Sequence, residues 1–214
     1  MELPQAFSAA LGLDRKAGPI SSLHVFDFDG TLVRTPGPAE GRPRYHAETG
    51  QQWKGGWWGR PESLCPPVLP SPCPPGYVIR TVFNELEEVM TKSETAVGVV
   101  VTGRIKPLRR SVLRILDEIC VAAKNDTVAE GVSFLKHDAV FTHPGGRMTT
   151  LEYKKALFHT LLTQEPLSNA SISELHIWED RKEHAEVFAT ELSDDLRNAT
   201  GVNTTVHYIT AETP

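Results

Sequence analysis

Long apolar runs are missing from this chain: none approaches the ~20 residues that a membrane-spanning helix needs. The amino terminus carries Glu2 and Asp14 and has no basic start leading into an apolar core. No secretory signal is therefore expected; the protein is expected inside the cell, not secreted, with the compartment left open. Cysteine is scarce. Cys65, Cys73 and Cys120 make neither an even disulfide set nor a zinc spacing, and the proline-rich stretch between the first two lacks histidine. Reduced thiols are the expectation. There is no surplus of basic charge either. A net charge of −5 excludes a generally basic coat for nucleic acid, although a local basic groove stays compatible with it. No Gly-x-x-x-x-Gly-Lys and no Gly-x-Gly-x-x-Gly follows the first apolar run, so nucleotide-hydrolysing and dinucleotide folds have no support. The histidines are scattered and form no paired metal motif.

What is present starts at Leu23-His24-Val25-Phe26-Asp27-Phe28-Asp29-Gly30-Thr31-Leu32. A short apolar run ends in two aspartates one residue apart, and Gly-Thr breaks it. In a strand, alternate residues face one side, so Asp27 and Asp29 start out together. Carboxylates that close repel unless a cation lies between them. Mg²⁺ fits, because it takes oxygen ligands and needs only one or two carboxylates. One acid can then attack an electrophile while the other moves protons.

A hydrophobic share of 40% over 214 residues suits one domain, 1–214, with an insert. Residues 34–76 hold most of the prolines and the cluster Trp53, Trp57, Trp58, without periodicity. They are expected to be a loop-rich, cap-like insert after the first strand. Helical spacing returns from Tyr77 to Met90. Ala96 to Val101 is a β-branched run closed by Thr102-Gly103-Arg104, as in a strand buried on both faces. Pro107 opens a helix whose apolar face is Leu108, Val112, Ile115, Leu116 and Ile119. Strands over Ala139–Thr142, Leu175–Glu179 and Thr204–Ile209 alternate with helices over Thr149–Leu162 and from Lys182 to about Asn198. This alternation predicts an α/β fold, an open parallel five-stranded sheet with helices on both faces. Ligands then bind beyond the carboxyl ends of the strands.

Reactive residues cluster at those predicted strand ends. Thr102 offers a hydroxyl and Gly103 a backbone N–H to a phosphoryl oxygen, or Thr102 merely caps a helix. Phosphoryl chemistry also needs a side-chain cation. Lys154 falls near the middle of the apolar face of its helix, where a lysine requires an acidic partner, and Lys155 lies toward its margin. Lys154 is the choice, with Lys155 as the solvated alternative. Glu179-Asp180 follows the fourth strand. Asp180 is the better Mg²⁺ ligand and Glu179 a second ligand or an acceptor behind it; an acidic helix start would look the same.

Asp27-Phe28-Asp29-Gly30-Thr31, Thr102-Gly103-Arg104, a helical lysine and Glu179-Asp180 stand in the order of the four motifs of haloacid-dehalogenase-like (HAD) phosphohydrolases, which the chain resembles from Leu23 to Ile209. Arg34-Thr35-Pro36, Gly56-Trp57-Trp58 and Glu179-Asp180-Arg181-Lys182-Glu183-His184 look like the HAD domains of Swiss Army Knife RNA-repair proteins. The resemblance implies a Rossmann-like fold and an aspartyl-phosphate mechanism with Mg²⁺ as cofactor. Asp27 would be the nucleophile, Asp29 the acid and base, Thr102 and Lys154 the holders of phosphoryl charge. Asp27, Asp180, Glu179 and Asp29, through its backbone carbonyl, would be the metal ligands. The implied substrate is a phosphorylated RNA end, with ribonucleoprotein or repair-complex partners. A small-metabolite phosphatase and an inactive HAD scaffold that binds RNA or protein are the alternatives. Trp57 and Trp58 would stack a base or else pack the insert. Arg34, Arg60 and Arg104 would line a phosphate path.

Overall fold

In the computed structural model, which describes residues 3–16, 18–123 and 134–210, the run before Asp27 forms β1 (Ser22–Phe26), buried throughout. It is followed by β2 (Ala96–Ile105), β3 (Val140–His143), β4 (Glu174–Glu179) and β5 (Asn203–Tyr208). All four pairings are parallel, and the strand order is β3-β2-β1-β4-β5. The central strands are Val-rich because a parallel sheet is covered on both sides: Val99, Val100 and Val101 have no exposed surface.

The helices are α1 (Phe7–Ala10), α2 (Pro38–Thr49), α3 (Arg80–Thr91), α4 (Arg109–Ala123), α5 (Thr150–Thr163), α6 (Lys182–Val187) and α7 (Ser193–Thr200). From β1 the chain steps outward to β2 and β3, then returns to the other side of β1 for β4 and β5. Right-handed crossovers therefore put α3 and α4 on one face and α5 to α7 on the other. The order reverses between β1 and β4, and there the crevice for a ligand opens. In the lead-in, Phe7 of α1 meets the ring of Phe141 edge-on at 5.4 Å, which covers β3.

Two boundaries differ from the sequence expectation in ways that matter. The helix expected from Tyr77 starts only at Arg80, because Tyr77 and Val78 close the neck of the insert. There Val33 pairs with Val78, Arg34 N donates to Tyr77 O at 2.7 Å, and Ile79 N donates to Leu32 O at 3.0 Å. Within the insert, expected to lack regular structure, α2 forms instead. It is polar nearly all round and contains Pro43, so no apolar stripe announces it. Its one buried residue is Gly41, and any Cβ there would overlap the Trp57 indole. The insert thus has a small aromatic core of its own: Trp57 lies 4.4 Å from Trp53, which Tyr45 meets at 5.1 Å. Arg44 ties α2 to the returning chain through Val68 O and the Tyr77 hydroxyl, both at 2.7 Å. None of the three cysteines takes part in a disulfide. No helix among the described residues is long and apolar enough to cross a membrane.

Candidate active site

The crevice between β1 and β4 is built by the turns that end those two strands. Asp27 follows β1, with Oδ1 accepting from Phe28 N at 2.8 Å. Gly30 then bends the chain at φ +69°, in the left-handed region, with its α-carbon against the Asp180 carboxylate. A side chain at position 30 would overlap that carboxylate, so glycine is required twice over, by the turn and by the approach. Glu179 ends β4 and Asp180 begins the next turn. One ligand atom each from Asp27, Glu179 and Asp180 lies within 4.8 Å of the others, and Asp180 Oδ1 is buried without a hydrogen-bond partner.

Lys154 enters from α5, whose start is fixed by Thr149 and Glu152, each bonding the other's backbone N–H. Its side chain is 2% exposed, with Nζ 3.1 Å from Asp27 Oδ2 and 2.6 Å from Glu179 Oε2. Lys155 points outward, 3.5 Å from Glu191. Burial works against the Lys154 ammonium, but Asp27 and Glu179 outweigh it and raise its pKa. Burial also works against the Glu179 carboxylate, yet Lys154 and His184 hold it at about 2. Burial pushes Asp27 well above the carboxylate range against the pull of Lys154, with Glu179, Asp180 and Asp29 adding repulsion. Asp180 is pushed up to about 6 by burial and then by Glu179. The charges explain this: three carboxylates share one ammonium, so their full ionisation would put two excess negative charges in a largely buried space, which the raised pKa values of Asp27 and Asp180 relieve. A divalent cation would neutralise that excess, and an all-oxygen donor set suits Mg²⁺.

Asp29 belongs to a separate arrangement. Arg104 Nε donates to Asp29 Oδ2 at 2.9 Å and Nη2 to Oδ1 at 2.8 Å, while the Thr35 hydroxyl donates to Oδ1 at 2.5 Å. Nη1 of the same guanidinium donates to Ser63 Oγ at 2.8 Å and Trp58 O at 3.2 Å. Two expectations need correction here. The Asp29 side chain is turned away from the acidic group, so only its backbone carbonyl remains a metal-ligand candidate. Arg104, expected to bind substrate, is 1% exposed and fully engaged within the protein. Thr102 and Arg104 are both buried, and the pairing of β2 with β3 shifts register between Thr102 and Ile105, the stretch from which Arg104 reaches Asp29. Thr102 is buried, with Oγ1 accepting from Arg104 N at 3.1 Å. Gly103 backs onto α5, where a Cβ would lie 2.7 Å from Thr150 Cγ2.

The two tryptophans have different surroundings. Trp57 is 3% exposed and its indole N–H donates to Pro36 O at 3.0 Å, so it packs the insert and cannot stack a base. Trp58 is 43% exposed, its ring 4.8 Å from the Arg104 guanidinium and 6.0 Å from that of Arg181. Arg34 lies at the neck of the insert. Sequence reasoning gave no site role to Thr35, Ser63, Thr31 or His184. Thr31 Oγ1 is buried without a partner, and His184 Nδ1 stands 3.7 Å from Glu179.

Residues 47–214 match the family described as "HAD domain family 1 in Swiss Army Knife RNA repair proteins". That stretch takes in Thr102, Lys154, Glu179 and Asp180, while Asp27 and Asp29 precede it. An uncharacterized protein of Saccharomyces cerevisiae is 29% identical over 178 residues, covering 79% of this chain and 36% of the yeast protein. The chain thus spans about a third of that relative's length. No solved structure matches it. With most of its length matched, the chain belongs to this HAD domain family, which is of phosphohydrolase type.

Proposed function

We propose that the protein is a Mg²⁺-dependent phosphohydrolase that works through an aspartyl-phosphate and takes phosphorylated RNA ends as substrates. The observation that carries this reading is the buried group of Asp27, Glu179 and Asp180 with Lys154 as its only ammonium among the described residues. An inactive scaffold has no physical need for three carboxylates crowded around one ammonium. The RNA-end substrate is supported by the family's description and by the exposed Trp58 beside the site.

The roles follow from placement. Asp27 Oδ2 faces Lys154 and is the oxygen that forms the new bond to phosphorus as the bond to the leaving oxygen breaks. Asp29 Oδ1 accepts from Thr35 and Arg104 and Oδ2 from Arg104 Nε alone, so the acid and base role falls to Oδ2, which keeps a lone pair for the proton that passes between water and the leaving oxygen. We assign the Thr102 hydroxyl and the Gly103 N–H to the phosphoryl oxygens. Lys154 orients Asp27 and opposes its protonation. A Mg²⁺ bound by Asp27, Asp180, Glu179 and the Asp29 carbonyl would supply charge neutralisation for the phosphoryl group.

The test is turnover with Mg²⁺ of RNAs ending in 3′-phosphate, cyclic phosphate or 5′-phosphate, alongside sugar phosphates, by the wild type and Asp27→Asn. The expected result is release of phosphate from an RNA end by the wild type alone. Preference for sugar phosphates would overturn the substrate, and equal turnover by Asp27→Asn would overturn the mechanism.

A further inference from the structure

The apolar face of α4 is buried, but its other flank and the turn before it carry a run of cations. Lys106, Arg109, Arg110 and Arg114 line an open groove of about 770 Å³ that ends at Asp117 and Glu118. Arg114 is neutralised by Glu118 at 2.7 Å. Arg109 donates to the carbonyls of His137 and Val140, at 2.6 and 3.3 Å, which fixes the side chain and leaves its charge uncompensated. Among the described residues, Lys106 and Arg110 have no ion-pair partner. A chain of net charge −5 thus concentrates unpaired positive charge along one groove.

The groove begins at the carboxyl end of β2, the same end of the parallel sheet at which Asp27 and Asp180 lie. Lys106 directly follows β2, two residues beyond the Arg104 that holds Asp29. Gly59, next to Trp58, lies over Ile105, with 3.6 Å between the position of a Cβ there and Ile105 Cδ1. From Arg109 to Asp117 the helix rises about 12 Å, room for a few phosphates. The acids at the far end set a limit to any polyanion lying in it.

We propose that this groove seats the sugar–phosphate backbone of single-stranded RNA, leading from a terminal phosphate at Asp27 past a base stacked on Trp58. The proposal rests on the RNA-end reading and adds the surface that would recognise the chain behind the end. Phosphates take the positions beside Lys106, Arg109 and Arg110, and binding releases counterions from the RNA. The contacts read backbone charge and carry no sequence information.

The experiment measures fluorescence anisotropy of a labelled single-stranded RNA with a terminal phosphate against the full chain over a series of salt concentrations. It compares the wild type with Lys106→Glu/Arg110→Glu and with Lys106→Gln/Arg110→Gln. Each lost phosphate contact removes about 0.7 from the slope of log affinity against log salt, so the Gln pair is expected to lower it by about 1.4. The Glu pair is expected to weaken binding at least about tenfold at low salt. Turnover of a small aryl phosphate should be unchanged in both variants. Unchanged RNA affinity and slope would overturn the proposal, as would a parallel loss of aryl phosphate turnover. If the wild type binds RNA with the expected slope but releases no terminal phosphate, the groove stands and the RNA-end reading falls. If RNA ends are hydrolysed with no dependence on Lys106 and Arg110, the reverse holds.

Discussion

Arg104→Met tests how the insert and the proton-handling acid are joined. In the wild type the guanidinium bridges both Asp29 oxygens, Ser63 Oγ and Trp58 O, with 1% of the arginine side chain and 12% of the aspartate side chain exposed. Methionine matches the stem but leaves the carboxylate with Thr35 as its one side-chain donor among the described residues. Removing one partner of a buried pair costs about 3–5 kcal/mol, because the other charge is stranded. For a domain of this size each kcal/mol lowers Tm by about 2–4 °C, so a fall of about 6–20 °C is expected. The informative assay is a double-mutant cycle by urea denaturation with Asp29→Asn. The double variant should be more stable than the sum of the singles implies, with a coupling of about 1–3 kcal/mol. Arg104 touches no phosphate in this account, so kcat should fall for a small phosphoester with KM nearly unchanged. Additive stabilities, or a KM effect with kcat intact, would refute the reasoning and return Arg104 to substrate binding.

Other perturbations give separate readouts. Gly30→Ala should cost about 1–2 kcal/mol from the left-handed backbone alone, and should abolish turnover by displacing the Asp180 carboxylate; denaturation and phosphate release measure the two effects. Trp57→Ala should lower stability by about 3–5 kcal/mol. Trp58→Ala should leave stability nearly unchanged and weaken RNA binding by about 1–3 kcal/mol without altering a small phosphoester's KM. Mg²⁺ should stabilise the fold by about 2.7 kcal/mol at a hundred times its Kd, read as a Tm shift that Asp180→Asn abolishes. On the face opposite α5, burial, with His176 and His207 beside it, pushes His24 down to about 3 from an ordinary 6.5. The unfolded chain therefore binds the extra proton first, and stability falls as pH drops from about 6.5 toward 3. The loss by pH 5 is ~1–2 kcal/mol, and His24→Gln should flatten that slope in urea denaturation across the range.

The residues that the structure brings together around Asp27 were legible because they lie at or near the carboxyl ends of strands or in an apolar helix face. Asp27, Thr102 and Glu179 each terminate a run whose β-branched or apolar character marks a buried parallel strand, and Lys154 betrays itself by standing in an apolar stripe. Arg104 was read as facing substrate because the register shift of β2 against β3 just past Thr102, where its side chain turns to Asp29, leaves no local pattern. The helix α2 left no such trace, since only Gly41 is buried and burial is what creates periodicity. The neck formed by Val33 and Val78 joins residues far apart in the chain, which no local pattern reveals. Trp57 and Trp58 are adjacent and chemically identical; only the position of Gly41 decides which of them is covered.

The covalent intermediate is the most direct point of contact with experiment. Wild-type protein mixed with Mg²⁺ and a phosphorylated RNA end is quenched during turnover, digested, and examined by mass spectrometry under conditions that preserve acyl phosphates. The account predicts one phosphoryl group on the peptide that contains Asp27, and none on that peptide from Asp27→Asn. Steady phosphate release with that peptide unmodified, or with the phosphoryl group on another residue, would contradict it.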